Sequence, residues 1–202
     1  QDPALMEIIS SCDMINADGM SVVWASRLLG KALKERVTGI DLMQRLVERS
    51  ASRGYALYFL GARKEVVERV VGIYKEKFPD IHIAGYRDGY WREDEEPGLV
   101  RDIRDSGAQI LFLAISSPRK ERFLSRYLAE MNVPFVMGVG GSFDVVAGVT
   151  RRAPVWMQKS GLEWFYRFSQ EPARMWKRYI PGNMRFIGLV CRELVRARSG
   201  AK

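Results

Sequence analysis

Tyr55-Ala56-Leu57-Tyr58-Phe59-Leu60-Gly61-Ala62 is a run in which six apolar or aromatic residues lead straight into glycine. A strand with helices on both faces needs such a run, because neither row of side chains meets water. The following residues carry Val66, Val67, Val70, Val71 and Tyr74 at helical spacing, so the unit reads strand, glycine turn, helix. Gln109–Ile115 repeats the buried-strand signature. Ser116-Ser117-Pro118 then forms a turn that places Pro118 at the first position of a helix running to about Met131. Pro134–Val139 is a further strand, ending in Gly140-Gly141-Ser142-Phe143-Asp144, and Ile81–Tyr86 is another short one. Strands alternating with helices predict an α/β fold, a mostly parallel sheet with helices on both faces. Ligands of such sheets bind at the carboxyl ends of the strands, where Gly61, Ser116 and Gly140 fall.

Upstream, Pro3–Ser11 has a helical pattern and Ala17-Asp18-Gly19 is a turn. Met20–Leu29 reads as a helix stopped by Gly30, and a second helix is expected over Asp41–Ser52. Between the second and third strands, Arg92–Pro97 reads as a solvated acidic loop, followed by a helix over Gly98–Ser106.

Charge divides the chain. Residues 151–202 hold 12 of the 32 Lys and Arg but 3 of the 24 Asp and Glu, so the formal +8 of the chain resides in this segment. Trp156, Trp164 and Trp176, three of the five tryptophans, lie there too. Cations interleaved with aromatics suit a surface that meets anionic headgroups or phosphates. A catalytic domain over residues 1–149 and a basic, amphipathic, aromatic-rich helical appendage over 150–202 are therefore expected, with the appendage associating with a membrane surface. A basic module gripping nucleic acid is the alternative that the same composition allows.

No apolar run approaches the roughly 20 residues needed to span a bilayer. Cys12 and Cys191 offer neither a disulfide framework nor a zinc pattern, which favours a reduced, cytoplasmic compartment. The one histidine, His82, sits in an alternating strand and reads as structural and solvent-facing.

Two stretches carry chemistry. Gly138-Val139-Gly140-Gly141-Ser142 lets backbone amides approach a phosphate, but Phe143 stands where a dinucleotide fingerprint has its third glycine, which disfavours a nicotinamide enzyme. Asp144 beyond it either accepts hydrogen bonds from a sugar hydroxyl or caps a helix. Asp18, in a glycine-bounded turn, is either a general base or a structural turn residue. The acidic run near Glu93 lacks the carboxylate pair that a nucleotide-bound divalent cation needs.

In chain order, Ala17-Asp18-Gly19, Glu35-Arg36-Val37-Thr38-Gly39-Ile40-Asp41-Leu42, Leu60-Gly61-Ala62, Ser117-Pro118-Arg119-Lys120-Glu121-Arg122-Phe123, Gly138–Asp144 with Ala147-Gly148 and Arg152-Ala153-Pro154, and Gly161–Arg167 with Gln170-Glu171-Pro172 follow one another. This ordered set resembles the WecG/TagA/CpsF glycosyltransferase family over nearly the whole chain. The resemblance implies a Rossmann-like enzyme that is inverting, metal-independent and without a cofactor. Such an enzyme moves N-acetylmannosamine or its uronic acid from a UDP-sugar to a polyprenyl-diphosphate-linked sugar at the cytoplasmic face of the membrane.

Carried over by motif, Asp18 is the catalytic base, and Arg167 and Arg174 are catalytic tail arginines that reach the diphosphate. Substrate contacts fall to Arg36, Gly39, Asp41, Gly61, Pro118, Lys120, Gly140, Asp144, Arg152 and Lys177. Exposed apolar surface on the tail also makes a homo-oligomer an expected partner state. The chain departs from the family at Lys120, where a glutamine is common, leaving a uronate and a neutral hexose both open as donors. The family pattern also begins earlier, with a Thr-x-Asn strand near the acceptor site. That strand has no counterpart here, so the chain is expected to be a fragment or to be numbered from after that segment.

Overall fold

The four apolar runs become four strands, β1 (Leu57–Gly61), β2 (Ile83–Arg87), β3 (Ile110–Ala114) and β4 (Phe135–Gly138). The structure is a computed structural model that describes residues 3–170 and 172–199, with the side chains of all of these except 167, 173–175, 177–181, 197 and 198. All three strand pairings are parallel, in the order β2-β1-β3-β4, with Phe59 opposite both Tyr86 and Phe112, and Leu113 opposite Gly138. The helices, in chain order, are α1 (Pro3–Ser10), α2 (Met20–Leu28), α3 (Gly39–Arg53), α4 (Lys64–Lys77), α5 (Glu96–Asp105), α6 (Arg119–Met131), α7 (Ser142–Val146), α8 (Val155–Lys159), α9 (Glu163–Gln170) and α10 (Pro172–Ser199). The Rossmann-like α/β class is the one expected.

Alternation along the strands builds two cores. Leu57 and Phe59 of β1 and Ile110 and Phe112 of β3 face α3, α4 and α7, meeting Met43, Val47, Val67, Val70 and Phe143. Tyr58, Leu60, Leu111 and Leu113 face the other way, onto Leu99, Val100 and Ile103 of α5 and Phe123 and Met131 of α6. Phe59, Phe112 and Phe143 are fully buried, and Phe59 lies 5.5 Å from Phe112 and 5.7 Å from Phe143, ring centre to ring centre. Truncating any of them would cost about 3–5 kcal/mol through lost transfer energy and the cavity left behind.

The chain divides into two compact units, Gln1–Ile15 with Gly39–Arg151 and Asn16–Thr38 with Arg152–Lys202. The first contains the sheet, and in it α1 packs on α6. The second pairs the segment around α2 with the C-terminal helices, a grouping that differs from the expected division at residue 149 because 16–38 joins the C-terminal side. Gly161, with φ of +75°, explains part of that grouping. A Cβ there would stand 2.8 Å from the Trp24 ring and 3.2 Å from Met20, so only glycine lets the turn before α9 lie on α2.

Two local expectations need correction. Pro118 does not open α6 but precedes it as the N-cap, and the helix begins at Arg119. The stretch 92–97 is not a plain solvated loop: Glu93–Glu95 form a 3-10 turn and Glu96 starts α5, two residues before the expected helix. Glu96 is 6% exposed because Trp91 Nε1 donates to its Oε1 at 3.4 Å and Arg126 Nη1 pairs with its Oε2 at 3.3 Å. His82 is exposed, just before β2, and its carbonyl accepts from Leu57 N.

Candidate active site

In the sheet-bearing unit the chain leaves β1 toward β2 on one side and reaches β3 and β4 on the other, so the switch in strand order falls between β1 and β3. A crevice at that switch is where open parallel sheets hold ligands. Gly61 ends β1 with φ of +124°, and a Cβ on it would stand 2.4 Å from the Ala114 carbonyl oxygen. Ala62 N donates to that same carbonyl at 3.0 Å, and Gly89 N donates to Ala62 O at 2.8 Å. The ends of β1 and β3 and the loop after β2 are thus drawn into backbone contact, with Asp88 Oδ1 accepting from Tyr90 N at 2.8 Å.

Arg119 ties the loop after β3 to the loop after β2. Its Nη1 donates to Gly89 O at 2.9 Å, its Nη2 donates to Trp91 O at 2.8 Å, and the guanidinium lies 4.4 Å from the Trp91 ring. The next residue, Lys120, reaches across to the end of β4 and pairs with Glu121 Oε1 at 2.7 Å. Gly140 has φ of +54°, a conformation that suits glycine and lets the loop turn into α7. Asp144 sits in the first turn of α7, its carboxylate 3.9 Å from where a Cβ on Gly141 would stand, and its carbonyl accepts from Val149 N and Thr150 N. Gly39 and Asp41 occupy the first turn of α3, which then runs toward β1 with Met43 and Val47 in the core.

The second unit holds a charged cluster. Arg36 Nη2 donates to Glu163 Oε2 at 2.6 Å and lies 3.6 Å from Asp18 Oδ1, while Arg36 Nε donates to the Asp18 carbonyl. Val37 N donates to Ala17 O at 3.1 Å, closing the loop on both sides of Asp18. The Arg36 and Glu163 side chains are 16% and 9% exposed, whereas that of Asp18 is 69% exposed. The Asp18 carboxylate is thus open to solvent on a loop whose backbone Arg36 holds.

The residues singled out in the sequence therefore fall into two groups. Gly61, Pro118, Lys120, Gly140 and Asp144 gather at the carboxyl edge of the sheet, with Gly39 and Asp41 in the same unit. Asp18, Arg36 and a half-buried Arg152 belong to the other unit. The side chains of Arg167, Arg174 and Lys177 lie outside the described ones.

With this geometry in view, the family described as "Glycosyl transferase WecG/TagA/CpsF family" matches residues 1–200. The chain belongs to that family.

Two relatives of this WecG/TagA/CpsF chain are each named N-acetylglucosaminyldiphosphoundecaprenol N-acetyl-beta-D-mannosaminyltransferase. The one from Bacillus spizizenii is 37% identical over 180 residues, which cover 89% of this chain and 69% of the relative. The one from Bacillus subtilis is 34% identical over 180 residues, with the same coverage of each. Glycosyl transfer is thus the activity class of the chain.

Arg119, Glu121 and Glu163, whose pairings hold these loops, each stand inside a stretch that carries the resemblance, yet the sequence does not mark them. Helical periodicity could not single them out, because it sorts apolar from polar positions and says nothing of which polar residue pairs across the fold. Among the described residues no helix is long and apolar enough to cross a membrane.

Proposed function

We propose that this WecG/TagA/CpsF protein moves a hexose, an N-acetylhexosamine or its uronic acid from a UDP donor to a polyprenyl-diphosphate-linked sugar, with inversion and without a metal ion. Asp18 acts as the base. The acceptor hydroxyl oxygen attacks the anomeric carbon as its proton passes to the Asp18 carboxylate. The bond from that carbon to the UDP oxygen breaks, and the electron pair leaves with the diphosphate.

The observation that carries this reading is the exposed carboxylate of Asp18 on a backbone fixed by Arg36, in a chain of this family. The acceptor class follows the names of the two Bacillus relatives. Negative charge grows on the leaving diphosphate, and without a metal ion the protein must supply cations and amide dipoles. Arg152, Arg167, Arg174 and Lys177 of the basic segment and the glycine loop at Gly140 are assigned to that task, with Asp144 and Lys120 on the donor sugar side.

The aromatic residues of the basic segment hold the protein on the inner face of the membrane as a peripheral enzyme. Exposed Trp156, Trp164, Phe165 and Trp176 support this assignment. The test is a transfer assay with chelator present, across UDP-glucose, UDP-N-acetylglucosamine, UDP-N-acetylmannosamine and its uronic acid, with a short-chain lipid diphosphate acceptor. UDP release dependent on acceptor is expected, and its absence with every donor would reject the reading.

A further inference from the structure

We propose that the Lys120–Glu121 pair makes the site select a donor whose sugar is uncharged over the matching uronic acid, an inference that rests on the UDP-sugar reading above.

Lys120 folds onto the end of β4. Its Cδ, Cε and Nζ lie 2.8, 3.0 and 3.0 Å from where a Cβ on Gly138 would stand, so a glycine there leaves room for the side chain. Gly138 is the last residue of β4, two before Gly140, and the ammonium is therefore held at the ligand-binding edge of the sheet. Its partner is built in. Nζ stands 2.7 Å from Glu121 Oε1, and the two side chains are 23% and 12% exposed.

Glu121 lies in the first turn of α6, where the helix dipole favours negative charge. Burial works to raise its carboxyl pKa. The hydrogen bonds from Lys120 and its own amide, the Lys120 charge and the Ser117 hydroxyl together hold it below the ordinary value. The glutamate is ionised and the pair has no net charge.

A lone lysine in this place would draw in a sugar carboxylate. Here the place of that carboxylate, beside the ammonium and at a helix N-terminus, is taken by the protein's own Glu121. A uronate would have to share one ammonium with Glu121 and meet it as a like charge, which is how a site rejects a close analogue. Glu121 Oε2 is buried without a hydrogen-bond partner, so this carboxylate has little capacity to tolerate a second one nearby. A neutral hexose or N-acetylhexosamine meets no such opposition. An ammonium has three N–H donors and can bond sugar oxygens while keeping Glu121.

The test uses the full chain, with isothermal titration and transfer kinetics on matched donors. These are UDP-N-acetylmannosamine against its uronic acid and UDP-glucose against UDP-glucuronic acid, with UDP alone as reference. Wild-type protein is expected to favour the neutral member in Kd and kcat/KM by about tenfold or more, and Glu121→Gln, which unmasks the lysine, to shift that ratio toward the uronate by about tenfold. Glu121→Asp keeps the charge and is expected to keep the neutral preference. Equal or better use of the uronate by wild type overturns the inference even if Glu121→Gln does not fold. So does an unchanged ratio in folded Glu121→Gln, or a loss of preference in Glu121→Asp equal to that in Glu121→Gln. UDP binding without discrimination in either pair sinks this inference and leaves the transferase reading standing, whereas no binding of UDP sinks both.

Discussion

Arg36 and Glu163 stand 127 residues apart in sequence and 2.6 Å apart in the structure, and the same guanidinium holds the Asp18 carbonyl. The loop bearing the proposed base thus takes its position from the first residue of α9. Removing Glu163 would leave a largely buried cation with only its longer, 3.6 Å pairing to the exposed Asp18 carboxylate and would loosen the anchor of the loop. Glu163→Ala is expected to cost about 2 kcal/mol by denaturant unfolding, less than a fully buried pair because Arg36 keeps some exposure. It should also lower kcat more than it raises KM, with partial recovery in Glu163→Asp. A double-mutant cycle with Arg36→Ala should give a coupling of about 1–3 kcal/mol. Unchanged kcat in a folded Glu163→Ala protein would end the positioning role.

Asp18→Asn keeps the shape of the side chain and its loop but removes the proton acceptor. Turnover is expected to fall by roughly 100-fold or more, the usual scale of a general base, while UDP binding stays close to wild type. Stability should change little, since the side chain is 69% exposed and its link to Arg36 runs largely through the backbone carbonyl. Retained turnover would take Asp18 out of the mechanism.

The two central strands were legible because a doubly covered strand must be apolar on both faces, and Leu57–Gly61 and Ile110–Ala114 meet that demand, whereas the edge strands Ile83–Arg87 and Phe135–Gly138 are only partly buried and show as short runs between turn residues. The carboxyl-edge residues followed from the same pattern, since Gly61 and Gly140 end such runs. Pairings between distant polar residues left no such trace. Arg36 and Glu163 belong to different stretches with no shared periodicity, and the grouping of 16–38 with the C-terminal helices depends on them and on Gly161 lying against Trp24. Glu96 was misread for a related reason: within an acidic run, nothing local marks the one carboxylate that Trp91 and Arg126 bury.

Gly61 and Gly138 separate two kinds of crowding. A methyl group on Gly61 would run into the Ala114 backbone at 2.4 Å with φ already at +124°, so β1 and β3 would have to part. Gly61→Ala is expected to lose more than about 3 kcal/mol or to fail to accumulate as folded protein. The methyl group of Gly138→Ala would meet only the flexible stem of Lys120, at 2.8 Å. That variant should fold with a loss of about 1 kcal/mol or less and show its effect in donor kinetics through a displaced lysine. Thermal unfolding of the two variants checks the contrast, and equal losses would contradict it.

The basic segment sets the last expectation. Trp156, Trp164, Phe165 and Trp176 are each about half exposed or more, and α10 continues with exposed Met184, Ile187, Leu189 and Val195. Apolar surface of this extent among arginines gains most where rings enter a headgroup layer and the cations meet anionic lipid. Co-sedimentation with vesicles containing anionic phosphatidylglycerol should exceed that with neutral vesicles, and should weaken as salt shortens the range of charge attraction. Trp156→Ser with Trp164→Ser should reduce partitioning by about tenfold and leave transfer to a soluble, short-chain acceptor intact. Arg167→Ala and Arg174→Ala are expected to do the reverse, impairing transfer to that soluble acceptor more than folding or vesicle binding. Wild-type transfer by both arginine variants would reduce the segment to an anchor. Salt-sensitive binding to oligonucleotides with indifference to vesicles would move the whole assignment of the segment from lipid to nucleic acid.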